Sequence, residues 1–248
     1  MKFARTLIAS VAAGLLATSA FAMTEPEHKA AKERISADYK ADKQKCDALK
    51  ANAKDVCVKE AKGKEDVAKA ELEAQYKPSP KATQKVAEAR ADAAYSVAKE
   101  KCDDLKGNEK DVCEKDAKAA QVKAKEDAKV AAAQAKPADN AAEKGAAVAE
   151  ARKDANAEKN DANYKAAKER CDAFRGNDQD VCVKEAKLAH VAALASAKVV
   201  QANTDARADA KDDIREAQYK VEAEKCDTQT GDSKAACIKA AKAVYGKP

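Results

Sequence analysis

Small and apolar residues recur at helical spacing along most of this chain, on a background of Lys and Glu. Tyr95, Ala98, Cys102 and Leu105 fall at offsets 0, 3, 7 and 10, and Tyr164, Ala167, Cys171 and Phe174 do the same. A second kind of row follows, Cys113, Ala117, Ala120 and Ala124, matched by Cys182, Ala186, Ala189 and Ala193. Such rows predict helices with one narrow apolar seam each, suited to lying along a partner helix. The remaining faces carry Glu-to-Lys pairs four apart, such as Glu60/Lys64, Glu65/Lys69, Glu114/Lys118 and Glu216/Lys220. Each such pair supports a helix by about 0.2–0.5 kcal/mol.

The pattern repeats. Four segments align without gaps: Tyr39 to Cys57, Tyr95 to Cys113, Tyr164 to Cys182 and Tyr219 to Cys237. Each has Tyr seven residues before the first cysteine, Asp directly after it, and the second cysteine eleven positions on. Between them lie breaks at Pro78 and Pro80, at Pro137, and at Asn203-Thr204, where Thr204 can cap a new helix. Thr24, with Pro26 and Glu27 behind it, has the makings of a capping box for the first helix. The expected organisation is hairpin repeats over 23–78, 79–137, 138–203 and 204–248.

Inside each unit the chemistry reads helix, turn, helix. Gly107, Gly176 and Gly231 lie five residues after the first cysteine, where a left-handed helix cap is needed. The first unit has Ala51 there, which makes its turn less favourable. Asn52, Asn108, Asn177 and Asp232 follow, placed to cap the returning helix, and Asp55, Asp111 and Asp180 suit its positive first turn. The fold expected is all-α: long Ala-rich helices forming four antiparallel hairpins, coiled-coil-like in their packing.

Composition sharpens this picture. Leu, Ile, Val and Phe together supply 32 of 248 residues, too few for an ordinary globular core. Alanine supplies about a quarter of the chain, and Ala, Glu, Lys and Arg are strong helix formers. The expectation is long, thin helices with little core. Residues 1–22, with Lys2 and Arg5, an apolar run and Ala20-Phe21-Ala22, read as a secretory signal peptide. No later stretch is apolar enough to span a bilayer, so no transmembrane segment is expected after cleavage. Removing Lys2 and Arg5 lowers the formal charge from +5 to +3. Acidic and basic residues are interspersed, so nucleic acid is not an expected partner.

The cysteines then admit two geometries. A continuous helix would hold the two of a unit roughly 16 Å apart, beyond the reach of a disulfide, which needs Cα atoms within about 7 Å. A turn at Gly-Asn sets them opposite each other across the hairpin. The pairing predicted is Cys46–Cys57, Cys102–Cys113, Cys171–Cys182 and Cys226–Cys237, in the oxidising compartment that the signal peptide implies. In the chain-entropy picture each bond contributes about 3 kcal/mol. The competing use, metal or redox chemistry, needs close Cys or Cys/His pairs or a CxxC. The two histidines, His28 and His190, are not near a cysteine in sequence and read as solvated or half-buried helix residues. Met1 and Met23 are the only methionines, too few for a thioether copper site.

Other features read as structure. The four repeat tyrosines pack over the seam as its largest apolar element. The stretch starting at Asp154 has Lys159 and Lys165 where a calcium loop requires Gly and Glu. No Gly-rich phosphate loop, nucleophile elbow or paired carboxylates in a predicted cleft are found. No cofactor, metal site or catalytic residue is expected, and the chain does not read as an enzyme.

The repeat YKxAKEKCDxLxGNxKDVC behind a short signal peptide resembles a group of small secreted bacterial proteins often labelled TolA-like. The likeness to TolA itself is one of Ala, Lys and Glu content. The resemblance implies a helical-hairpin fold and a periplasmic or secreted location, and brings no activity. The expected function is a structural or envelope-interaction role, with an envelope protein or cell-wall component as partner. Two other classes stay open: a hydrophilic stress protectant resembling the late-embryogenesis-abundant proteins, and a thiol-disulfide or metal-handling protein.

Overall fold

A computed structural model describes residues 23–201 and 204–247; residues 1–22, read above as a signal peptide, and the expected break at Asn203 lie outside the described residues. These contain eight α-helices and no strand. The helices are α1 (Glu25–Lys45), α2 (Ala51–Tyr76), α3 (Pro80–Cys102), α4 (Gly107–Ala135), α5 (Ala141–Cys171), α6 (Asn177–Gln201), α7 (Thr204–Cys226) and α8 (Gly231–Tyr245). A short 3-10 turn over Cys46–Ala48 extends α1. No helix among the described residues is long and apolar enough to cross a membrane.

Local chemistry sets the ends. At α1 the Thr24 hydroxyl accepts from the Glu27 amide, and Glu27 accepts from the Thr24 amide at 2.8 Å. Ser79 caps α3 by accepting from the Ala82 amide, with Pro80 in the first turn where its missing N–H costs nothing. Asn140 caps α5 through the Glu143 amide. At the opposite ends, α1 with its 3-10 extension, α3, α5 and α7 close in the same turn. The amides of Leu49, Leu105, Phe174 and Gln229 donate to the carbonyls of Cys46, Cys102, Cys171 and Cys226, each at 3.0 Å.

Each helix packs against the one before it and the one after it, and against no other among the described residues. A two-layered stack would bring every second helix together; this arrangement is therefore a single layer of antiparallel helices. The expectation of one seam per helix is corrected for α2 to α7, which each bury two sides. Alanine makes this workable. Among the described residues, ten of the sixteen buried apolar ones are Ala, four are the first cysteines of the pairs, and Leu72 and Val221 complete the set. Where α2 meets α3 the approach is closer still: a Cβ built on Gly63 would lie 2.7 Å from that of Ala93.

Two further expectations are corrected. Leu105 and Phe174 do not extend the seam; they are 38% and 50% exposed, as Leu49 is at 42%. The helix ends at or just before the cysteine, and these residues already belong to the turn. The left-handed residue is also not a cap on the outgoing helix, since Gly107 and Gly176 lie four residues past the C-caps Asp103 and Asp172. Gly107, Gly176 and Gly231 have φ of 55°, 58° and 57°, Ala51 has 49°, and in units 1, 2 and 4 this residue opens the returning helix.

Candidate functional site

Two kinds of repeated polar constellation stand out, one at the tip of each hairpin and one between hairpins. At the tips, the disulfides Cys46–Cys57, Cys102–Cys113, Cys171–Cys182 and Cys226–Cys237 bridge Cα atoms 5.5–5.7 Å apart. The first cysteine of each pair is fully buried and the second half-buried. No described cysteine is free. A disulfide sulfur is neither a nucleophilic thiolate nor a metal ligand, so the cysteines act here as covalent staples.

The Asp after each first cysteine, for which sequence alone offers no role, closes the same tip. Asp47 accepts from Lys54 at 2.9 Å, Asp103 from Lys110 at 2.7 Å and Asp227 from Lys234 at 3.0 Å. In the third unit Gln179 replaces Lys and donates its amide to Asp172 at 2.7 Å. The Lys54 and Lys110 ammonium groups hold the carboxyls of Asp47 and Asp103 below the usual aspartate range. Each tip is thus tied twice, by sulfur and by a carboxylate clasp across the turn.

The second constellation joins successive hairpins. Asn52 and Asn108 were expected to cap α2 and α4, but neither helix has a side-chain cap. Their amides reach the next hairpin instead. Asn52 Nδ2 donates to the Glu100 carbonyl on α3, and Asn108 Nδ2 to the Glu169 carbonyl on α5, both at 2.9 Å. These carbonyls lie in the last turn of their helices, two residues before the first cysteine. Asn177 holds the same position in the third unit and is half-buried. Asp232 is exposed, and α8 too has no side-chain cap.

Around each joint, two ion pairs run in opposite directions. Lys59 meets Glu100 and Lys101 meets Glu60, both at 3.6 Å. Lys115 meets Glu169 at 3.8 Å, and Arg170 donates to Asp116. Lys184 meets Glu224 at 3.5 Å, and Lys225 meets Glu185 at 3.4 Å. Farther from the tips, Arg90 binds Glu71 at 2.6 Å, and Lys159 binds Asp127 at the equivalent place one hairpin on. Of the four Glu/Lys pairs expected along single helices, Glu65–Lys69 and Glu216–Lys220 form. Glu60 bonds instead to Lys101, and Lys64 to Asp42 on α1.

The repeat tyrosines are half-buried, with Lys62, Lys118 and Lys187 lying 5.8, 5.3 and 5.2 Å from the ring centres of Tyr39, Tyr95 and Tyr164. Ammonium over an aromatic face adds about 0.5–1 kcal/mol at an exposed site. His28 stacks on Tyr76 at 4.3 Å and its Nε2 lies 3.0 Å from Glu73, so it ties α1 to α2. His190 stacks on Tyr164 at 4.7 Å, tying α6 to α5. No group of three or more His, Cys, Asp or Glu among the described residues is placed to hold a metal ion.

The joint was missed in the sequence because its residues read as ordinary solvated Lys and Glu. The signal was there in the register: a cation two residues after each second cysteine, and a carboxylate two residues before the first cysteine of units 2 to 4. No protein-family model, curated protein or solved structure matches this chain.

Proposed function

We propose that the protein is a non-enzymatic periplasmic or secreted spacer, which presents its long helical faces to an envelope protein or cell-wall component. The joint between hairpins carries this reading. An amide-to-carbonyl bond is worth about 0.5–1.5 kcal/mol, and each exposed ion pair about 0–1 kcal/mol. Three joints with crossed ion pairs, two of them also closed by an Asn amide, fix the order and direction of the hairpins, which would otherwise move as separate beads about their linkers. A defined array is useful to a spacer and of no use to a protectant that acts as a coil. Four staples suit an oxidising compartment outside the cytoplasm.

The test is circular dichroism of the mature chain in dilute buffer, with X-ray scattering for its length. Strong helicity and an elongated particle in solution are expected. A coil that becomes helical only on drying would overturn the proposal in favour of the protectant. Osmotic-shock release from expressing cells should recover the chain with eight unreactive cysteines. Free thiols in that fraction would favour redox handling instead.

A further inference from the structure

The three inner joints share crossed ion pairs, with an Asn-to-carbonyl bond at the first two, and the faces of α1 and α8 that no described helix covers lack this set. On α3, α5 and α7 the acceptor of the joint is Glu100, Glu169 and Glu224. On α1, which follows no described helix, the same position is the exposed Gln44. The neighbouring cation, Lys45, bonds at 2.6 Å to Asp42 of its own helix, where Lys101, Arg170 and Lys225 reach across a joint. On α8, Asp232 replaces the amide donor of Asn52 and Asn108. There Ala240 replaces the carboxylates of Glu60, Asp116 and Glu185, and both substituted positions are exposed.

We infer that Gln44, Asp232 and Ala240 are the residues that bar a second copy of this chain from docking end to end through the same joint. The joint brings unlike faces together, so its repetition between chains would not close on itself. Heterologous contacts of that kind build open filaments. If α8 of one copy lay on α1 of another in this geometry, Lys239 would face neutral Gln44 and Lys45 would face the methyl of Ala240. Asp232 would point a carboxylate at the Gln44 backbone carbonyl, with no hydrogen to donate. Neither cation gains a partner across the contact, Lys45 keeping only Asp42 of its own helix, and one hydrogen bond becomes a repulsion. Protecting an exposed, repeatable edge with charge is how natural sheets avoid pairing edge to edge, and this helical layer has the same problem at its two ends. The inference needs only the joint geometry and is independent of any envelope role.

Sedimentation velocity of the mature chain across a wide concentration range tests it, beside the variant Gln44→Glu/Asp232→Asn/Ala240→Glu. The parent should remain a single chain at every concentration. The variant, at parental helicity, should associate into linear species, tighter by about tenfold or more. A parent that forms linear species itself, or a helical variant that stays single, overturns the inference. So does association that survives when Ala240→Lys replaces Ala240→Glu, because the contact is then not the joint. If the variant loses helicity, the converse change at an inner joint decides: Asn52→Asp/Glu60→Ala/Glu100→Gln should speed amide exchange where α2 meets α3. Unchanged exchange there would show that these groups do not govern docking.

Discussion

Replacing Ala51 by glycine should stabilise the first hairpin, although it deletes a methyl group and adds no contact. Ala51 has a φ of 49°, in the region where the three equivalent positions are glycine. Holding an L-residue with a Cβ there costs about 1–2 kcal/mol. Glycine removes that cost but gives the open chain more freedom, which returns about 0.4–1 kcal/mol. The net gain is about 0.5–1 kcal/mol, with no packing lost because Ala51 is exposed. Gly107→Ala is the mirror experiment. A Cβ there meets nothing within 4 Å, so the loss is backbone strain less the gain from a stiffer open chain, of similar size and opposite sign. The array has several linked units, so a single unfolding midpoint would average the effect away. Amide exchange reads it locally. The bond from the Leu49 amide to the Cys46 carbonyl should exchange about two- to fivefold more slowly in Ala51→Gly. The Leu105 amide should exchange faster by a similar factor in Gly107→Ala. If both variants shift in the same direction, or Ala51→Gly speeds exchange, the strain argument is wrong.

Asn108→Asp keeps the shape of the joint but removes the donor to the Glu169 carbonyl, adding a negative charge at the negative end of α5. A loss of about 1–2 kcal/mol is expected, seen as faster exchange in the last turn of α5 while the α3–α4 disulfide stays intact. Cys171→Ala/Cys182→Ala should cost about 3 kcal/mol, and a melting scan should show the third hairpin unfolding earlier than its neighbours. Acidification should loosen the first two tips. The carboxyls of Asp47 and Asp103 are lowered in the folded chain, so the stabilisation they supply is complete above the ordinary aspartate range and fades as pH falls through the folded values, below about 4. Lys54 and Lys110 are raised, so their share persists until pH climbs past the ordinary lysine range. Exchange at Leu49 and Leu105, corrected for its intrinsic pH dependence, should therefore be flat through neutrality and rise in acid.

The hairpins were legible in the sequence because each signal for them is local. Helix propensity, proline breaks and a fixed cysteine spacing act within a dozen residues, and the turn residue needs positive φ whatever lies elsewhere. The joints were not legible because their partners come from different units. Glu60 has Lys64 one turn along its own helix and Lys101 across the groove; sequence proximity favours the first, and the close approach of α2 and α3 brings the second within reach. Asn52 follows the same logic. Gly-Asn and Ala-Asn read as cap signals, yet the Asn52 and Asn108 amides reach last-turn carbonyls of the neighbouring helix instead. Leu105 and Phe174 were misplaced for a different reason, since a heptad row extrapolates smoothly past a helix end that the turn imposes.

The composition and the topology explain one another. A buried methyl group contributes about 0.8 kcal/mol, less than the roughly 1–2 kcal/mol needed to order one residue's backbone. An alanine layer therefore cannot rely on a central core and must draw stability from every neighbouring contact along its length. Sequential packing makes those contacts nearest-neighbour terms, so stability is close to a sum of hairpin and joint contributions. The staples act on the hairpin term by shrinking the freedom of the open chain. The Asn and ion-pair joints act on the coupling term, by making one relative placement of two hairpins better than the rest. Severing a staple should then lower the stability of one hairpin without uncoupling it. Severing a joint should leave both hairpins intact and divide the array into two independently melting blocks.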